Sequence, residues 1–181
     1  SRLFDGCGFG STRATRLFIE WVKQYDPDLI HLHNLHGYYI NIEILFDYLR
    51  DSGKRIMWTM HDCWAFTGHS ALCDADGCEK WEKGCGECPQ KNTYPRSIID
   101  RSKKNWKRKR SIFTDIPNME IITPSQWLSN CVSRSFLGKY PIGVINNGID
   151  TNIIKHREGN FFRRKYNLNN KFIVLGVASS W

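Results

Sequence analysis

The sequence predicts an α/β fold in which helices cover both faces of a parallel β-sheet. Two observations favour it. Strand-like runs rich in aliphatic and aromatic residues alternate along the chain with segments whose apolar residues recur at helical spacing. The stretches between these runs are also long enough for the helical crossovers that join parallel strands. With 181 residues, the chain can bury one core of this size.

The first part of the chain contains two predicted helix–strand pairs. Residues 11–24 are predicted to be helical, with Ser11 or Thr12 as N-cap, and residues 29–33 follow as a strand. The apolar stripe of this helix is predicted to be Leu17, Phe18, Trp21 and Val22. A second helix over 41–51 precedes a second strand over 54–60. The apolar side of the second helix is predicted to be Ile42, Leu45, Phe46 and Leu49.

The second part continues the alternation after a long cysteine-rich loop. Residues 96–113 carry a basic helical pattern, and 119–123 form a short predicted strand. Pro124-Ser125 opens a helix that is predicted to extend to Phe136.

Three further elements are predicted near the end of the chain. Residues 142–145 are predicted to be a strand, closed by the turn Asn146-Asn147-Gly148. A short basic helix is expected within 150–170, and a buried strand over 172–178. This last strand follows a polar stretch, so we expect it to be the first strand of a second domain.

Ionisable residues stand where the strand 54–60 ends. His61 and Asp62 follow it directly, and ligands of parallel sheets bind outside the carboxyl ends of the strands. A neutral imidazole there can donate or accept a hydrogen bond to a substrate hydroxyl or phosphate. The alternative is a buried histidine bonded to a loop carbonyl.

A second group of histidines follows the strand 29–33. His31, His33 and His36 have a spacing typical of metallohydrolase sites, but Leu35 stands where such a site needs an aspartate. The alternative interpretation is a loop that lines a cleft on the acceptor side. Its residues are Asn34, His36, Gly37 and Tyr38.

The seven cysteines are an odd number, which argues against a fully paired disulfide framework. Four have the spacing C-x4-C-x6-C-x2-C, namely Cys73, Cys78, Cys85 and Cys88. They are interpreted as a structural zinc site, a pair of disulfides or free thiols. Four thiolates leave no open coordination position, so a catalytic metal is not expected here.

The net charge of +8 depends on one segment. Residues 101–110 contain seven basic residues and no acidic one, and without them the net charge would be +1. The segment is either the solvated face of a helix or a patch for an anionic partner, such as membrane headgroups, a lipid diphosphate or nucleic acid. No apolar run approaches the roughly 18 residues of a membrane helix. A cytoplasmic protein is expected.

Ser125 lies at a predicted strand-to-helix junction. The free backbone N–H groups of a helix start favour anions, but the residues alone favour the simpler interpretation of the serine as an N-cap.

Taken together, these segments resemble the group 1 (family 4) glycosyltransferases of the GT-B fold, in the branch that makes capsular polysaccharides and exopolysaccharides such as colanic acid. The similarity covers nearly the whole chain. The matching segments are Pro27–Tyr39, Thr59–His69, Cys78–Trp81, Gly84-Cys85, Cys88–Gln90, Tyr94-Pro95 and Thr123–Trp127. Asn147-Gly148-Ile149-Asp150 resembles the hinge between the family's two Rossmann-like domains, and Val174–Ala178 resembles the first strand of the second domain.

The resemblance implies a retaining, hexosyltransferase-type enzyme that needs no catalytic metal or other cofactor. Such an enzyme moves a sugar from a nucleotide-sugar to a glycan or lipid-linked acceptor. His61 matches the family's histidine near the donor sugar, where it stabilises charge at the reacting carbon. The substrate-binding residues are then Asn34, His36, Gly37, Tyr38, Asp62, Ser125, Asn147 and Gly148. Peripheral contact with an anionic inner membrane face is expected from the basic segment, and no nucleic acid is expected.

Two departures from the family pattern matter. Ser70 stands where the family often has a cysteine, which leaves the fourth cysteine ligand undetermined. The chain also lacks an initiator Met, the first strand with its glycine-rich loop, and nearly all of the donor domain, so we expect an inactive fragment. The expected domains are 1–145 (acceptor side), 146–170 (hinge) and 171–181 (start of the donor domain).

Two other functions remain open from the residues alone. A zinc-knuckle nucleic-acid-binding module would use the cysteines and the basic segment. A metal-dependent hydrolase would use His31, His33 and His36.

Overall fold

The computed structural model of this protein describes residues 4–152, 160–174 and 176. The chain divides into two compact units, residues 1–147 and 148–181. The first unit contains the sheet and four of the described helices. The boundaries that the sequence predicts for three domains stay a prediction.

Four parallel strands form the sheet, in the order in which they follow one another along the chain. They are β1 (Leu29–Leu32), β2 (Arg55–Thr59), β3 (Met119–Thr123) and β4 (Ile142–Val144). In the register, Leu32 lies opposite Trp58, Trp58 opposite Ile121, and Ile121 opposite Ile142. The predicted parallel α/β architecture is confirmed, and all four carboxyl ends open on the same edge.

Helices α1 (Thr12–Tyr25) and α2 (Ile42–Asp51) pack against each other. The predicted apolar side of α2 is confirmed, since Ile42, Leu45, Phe46 and Leu49 are all buried. The stripe predicted for α1 is wrong in three of four positions, because Leu17, Phe18 and Trp21 are exposed. The buried face of α1 consists instead of Thr15, Ile19 and Val22, which follow one another at the helical spacing i, i+4, i+7.

The start of α1 also differs from the prediction. Ser11 makes no side-chain cap hydrogen bond to the helix, and its hydroxyl donates to the Tyr38 carbonyl oxygen at 2.7 Å. The residue therefore joins α1 to the loop after β1. The Ser11 hydroxyl thus makes a tertiary hydrogen bond in place of the predicted N-cap hydrogen bond.

Helix α3 (Ser102–Phe113) begins six residues later than the predicted start at residue 96. The Asp100 carboxylate explains this start, because its two oxygens accept the backbone N–H groups of Ser102 and Cys88, each at 2.7 Å. Asp100 thus joins the helix start to the cysteine loop. Helix α4 (Gln126–Arg134) has Ser125 as N-cap, as predicted, and the Ser125 hydroxyl accepts from the Leu128 N–H at 3.3 Å.

The segment between β2 and α3 contains only two short 3-10 turns, Ala75–Gly77 and Lys80–Glu82, yet residues 63–70 are all buried. Phe66 of this segment packs against Trp81 with a ring-centroid distance of 5.2 Å. The loop is therefore part of the core of the first unit.

The second unit contains one described helix, α5 (Asn160–Lys165), which is the predicted basic helix. Residues 172–174 and 176 belong to no strand, and Phe172 and Val174 are exposed. For these positions the predicted strand is wrong, because a strand needs a neighbour to pair with. The rest of that prediction, residues 175 and 177–178, lies outside the described residues. No described helix is long and apolar enough to cross a membrane.

Candidate functional site

The carboxyl ends of β1 and β2 bring the predicted histidines together. The strands are parallel neighbours, so residues that follow each strand lie side by side. His31 Nε2 lies 2.8 Å from Thr59 Oγ1, and His33 Nδ1 lies 3.0 Å from His61 Nε2. His31, His33 and His61 are all exposed, so the alternative of a buried His61 is wrong.

His33 and His61 form a pair of imidazoles in which one ring donates and the other accepts. Their ring centroids are 5.4 Å apart and the planes are nearly parallel. Loss of hydration lowers the pKa of His33, and the neighbouring His31 and His61 lower it further. The Trp58 indole N–H donates to the His33 carbonyl oxygen at 3.0 Å, and this hydrogen bond holds the backbone of His33. His33 and His61 are therefore joined across the ends of β1 and β2.

A second network surrounds His36. Its Nε2 lies 2.6 Å from Asp62 Oδ2, and its Nδ1 lies 3.0 Å from the Tyr94 hydroxyl. Asp62 Oδ1 accepts the Trp64 backbone N–H at 2.9 Å. One carboxylate therefore connects the loop after β1 with the loop after β2. His36 is directed to Asp62 and Tyr94 and does not share a site with His31 and His33.

The loop after β1 contains two residues with positive φ. Gly37 has φ 127° and Tyr38 has φ 67°, in a region that non-glycine residues rarely adopt. The Ser11 hydroxyl holds the Tyr38 carbonyl, and the Tyr39 hydroxyl donates to the Asn34 carbonyl. These two contacts keep the predicted acceptor-side residues in one loop conformation.

A buried lysine supports the loop after β2. Lys109 of α3 is 1% exposed, and its Nζ donates to the carbonyl oxygens of Trp64 at 2.7 Å and Thr67 at 3.2 Å. The same amine lies 3.5 Å from the centroid of the Trp64 ring. Burial lowers the pKa of Lys109 to about 7, against the opposing effect of nearby groups such as Cys7 and Asp5.

The remaining predicted substrate residues lie at the ends of β3 and β4. Ser125 follows β3, and its hydroxyl caps α4. Asn146 follows β4, and its side-chain amide donates to the Pro124 carbonyl at 3.2 Å. Asn147 ends the first unit and Gly148 begins the second.

The predicted zinc ligands share one small cavity but have different partners. Cys73, Cys78, Cys85 and Cys88 all contribute to its lining. The Cys73 thiol interacts with the thiols of Cys63 and Cys131, which come from outside the predicted set. All seven cysteines are free. Over residues 4–152, 160–174 and 176, no three His, Cys, Asp or Glu side chains converge closely enough to hold a metal ion as they stand.

Sequence reasoning missed three residues that organise this region. The sequence marks Tyr94 only as part of a segment that matches the family. It does not distinguish Lys109 from the other six basic residues of 101–110. Asp5, which is 3% exposed, pairs with His69 at 2.7 Å. A contact across 64 positions leaves no local pattern, so only the fold reveals it.

The fold and site define an α/β domain that presents imidazoles and a carboxylate at the carboxyl edge of a parallel sheet. The chain belongs to glycosyltransferase family 4, whose profile matches residues 4–153.

The chain is similar to a protein of Escherichia coli (strain K12). This relative carries the provisional name colanic acid biosynthesis glycosyl transferase WcaC, and it is 33% identical over 156 residues, which cover 82% of this chain and 37% of the relative. The chain therefore spans little more than a third of this relative's length. No solved structure matches this chain significantly. The predicted resemblance to this glycosyltransferase family is confirmed.

Proposed function

We propose that the protein containing this chain is a retaining glycosyltransferase of exopolysaccharide assembly. It transfers a sugar from a nucleotide-sugar to a glycan or lipid-linked acceptor, and this chain supplies the acceptor-side wall of the cleft. Family membership and the similarity to WcaC support the reaction class. Neither supports the nucleic-acid-binding module or the metal-dependent hydrolase. The separation of His36 from His31 and His33 also disfavours the hydrolase.

One observation carries the assignment of the reacting edge: the exposed His61 imidazole, held by His33 at the end of β2. Since Nε2 of His61 is engaged by His33, we assign Nδ1 to the substrate. A hydrogen bond donated by this nitrogen to an oxygen of the bound substrate stabilises negative charge that develops on that oxygen in the transition state. The lowered pKa of His33 keeps it neutral near pH 7, so that His61 has a neutral partner.

The acceptor is proposed to lie along the loop after β1. Asn34, His36, Gly37 and Tyr38 line this side, and Asp62 fixes His36 against it. Ser125 would bind substrate through the start of α4. Asn147 and Gly148 are proposed to serve as the hinge, and no metal is assigned to catalysis.

The exposed cations of α3 support a peripheral membrane contact at the cytoplasmic face, where a lipid-linked acceptor would be met. Lys103, Lys104 and Lys107 are exposed, whereas Lys109 is buried and Arg108 pairs with Glu43 at 2.8 Å. The basic face is thus smaller than the sequence predicts. Each exposed lysine near an anionic surface contributes about 1 kcal/mol.

The proposed role of His61 is tested with His61→Ala in the full-length protein. We expect sugar transfer to fall by about a hundredfold or more, because loss of one hydrogen-bond donor to the transition state costs roughly 10²–10³-fold. The unfolding temperature should not change, since His61 is exposed. His31→Ala is the matched control, because it removes an exposed imidazole from the same edge that is hydrogen-bonded to Thr59 and is not assigned to the substrate. Equal losses in both variants, or full turnover in His61→Ala, would refute the assignment.

A further inference from the structure

A small cavity of about 30 Å³ lies inside the loop between β2 and α3. His69, Cys78, Cys85 and Cys88 contribute to its lining, together with Cys73. The catalytic proposal uses none of these side chains. A loop of this length with two short 3-10 turns costs entropy to order, and a bound ligand at its centre would offset that cost.

His69 is a buried histidine with one nitrogen lacking a partner. Its Nδ1 pairs with Asp5 Oδ1 at 2.7 Å, and both side chains are at most 2% exposed. Its Nε2 is buried and has no hydrogen-bond partner. Leaving such a group unpaired costs about 1–3 kcal/mol. A carboxylate on one ring nitrogen and a vacant second nitrogen is the arrangement of a metal-binding histidine, since the carboxylate fixes the ring and its tautomer.

Two of the cysteines accept backbone hydrogen bonds at sulfur. Cys85 Sγ accepts the Gly68 N–H at 3.2 Å, and the Cys88 thiol interacts with the Gln90 backbone N–H. Both sulfurs therefore lie against backbone donors of the loop. Glu87 has φ 49°, so the chain turns sharply between Cys85 and Cys88. A Cys-x2-Cys pair on a turn has the spacing of a zinc knuckle.

Cys78 lines the same cavity as Cys85 and Cys88. Cys73 lines it too, but its thiol has other partners. The interactions of the Cys73 thiol are with Cys63 and Cys131.

We propose that His69 Nε2, Cys78, Cys85 and Cys88 form a closed structural site for one zinc ion. The ligand set therefore replaces Cys73 with His69. The described side chains do not yet converge to metal-ligand spacing. One change of χ1 rotamer moves a cysteine sulfur by about 3 Å, so the proposed site requires the cysteine side chains to rotate toward His69 when zinc binds. Zinc bound here stabilises the loop between β2 and α3, which begins with His61 and Asp62.

The test measures metal in the 181-residue chain purified without a polyhistidine tag. We expect about one zinc per chain, loss of zinc in Cys88→Ser, and retention in Cys73→Ser, the matched control that removes a thiol from the same cavity. Cobalt(II) substitution should give the spectrum of three sulfur ligands and one nitrogen. Because this spectrum is recorded on the wild-type chain, it reports on His69 even where His69→Gln fails to fold.

Each outcome decides the proposal. A folded wild-type chain that binds no added zinc overturns the site. A four-sulfur cobalt spectrum, or loss of zinc in Cys73→Ser, overturns the assignment of His69. A three-sulfur, one-nitrogen spectrum that Cys73→Ser leaves unchanged supports it.

Discussion

Replacing Lys109 by methionine tests how the loop after β2 is held. The amine is buried and bound to the carbonyl oxygens of Trp64 and Thr67, and its pKa is lowered from 10.5 to about 7. Methionine has a similar length and no charge. The variant therefore removes one titrating group from the core of the first unit.

The effect on stability follows from the lowered pKa. Between pH 7 and pH 10.5 the unfolded chain holds a proton on Lys109 that the folded chain has largely released. The free energy of unfolding of the wild-type protein therefore rises with pH in this window, by at most about 1.4 kcal/mol per pH unit. Because the folded group is half protonated near pH 7, we expect a gain of about 1 to 2 kcal/mol from pH 7 to 8.5.

Urea unfolding at pH 7.0 and 8.5, followed by tryptophan fluorescence, measures this gain. Lys109→Met should lack it, whereas Lys107→Met, an exposed neighbour on α3, should keep it. The charged groups around the amine are common to all three proteins; they are Asp5, Asp62, Cys7 and Cys85. Lys109→Met also loses two hydrogen bonds. This loss lowers the free energy of unfolding equally at both pH values, so it does not affect the change with pH that is compared. An equal change in the free energy of unfolding between pH 7.0 and 8.5 in the wild-type protein and in Lys109→Met would refute the reasoning.

Two further predictions concern packing and the membrane. Gly68→Ala should destabilise the protein by about 1–3 kcal/mol in urea, since its Cβ would lie 2.1 Å from the Ser102 carbonyl oxygen. Gly86→Ala, with its nearest contact at 3.6 Å, should change stability by less than about 0.5 kcal/mol; similar losses in both would contradict the close approach. Reversing the charges of Lys103 and Lys104 to glutamate should weaken flotation with anionic liposomes and leave neutral liposomes unaffected, and unchanged flotation would exclude the membrane contact.

Much of the fold follows from local pattern. The four strands, α2 with its whole apolar side, and the Ser125 cap all lie where periodicity and cap chemistry predict them. The pairing of His33 with His61 follows from two strand ends becoming neighbours in a parallel sheet. Such features depend on sequence neighbours or on a single topological rule, and a pattern can report them.

Other features depend on contacts that no local pattern encodes. The face of α1 that is buried depends on its packing against α2, and the exposed Leu17, Phe18 and Trp21 show that hydrophobicity alone does not select it. Lys109 looks like its basic neighbours in the sequence, yet it is the one that reaches the Trp64 carbonyl.

The sequence by itself determined the family, the parallel α/β architecture and the strand end that carries His61. Repeating apolar spacing and ordered motifs are sufficient for these. Only the tertiary structure decided which polar groups meet: His36 with Asp62, Lys109 with the loop carbonyls, and His69 with Asp5. The physical reason is that a buried polar group requires a partner, and the fold supplies partners from positions far apart in the chain.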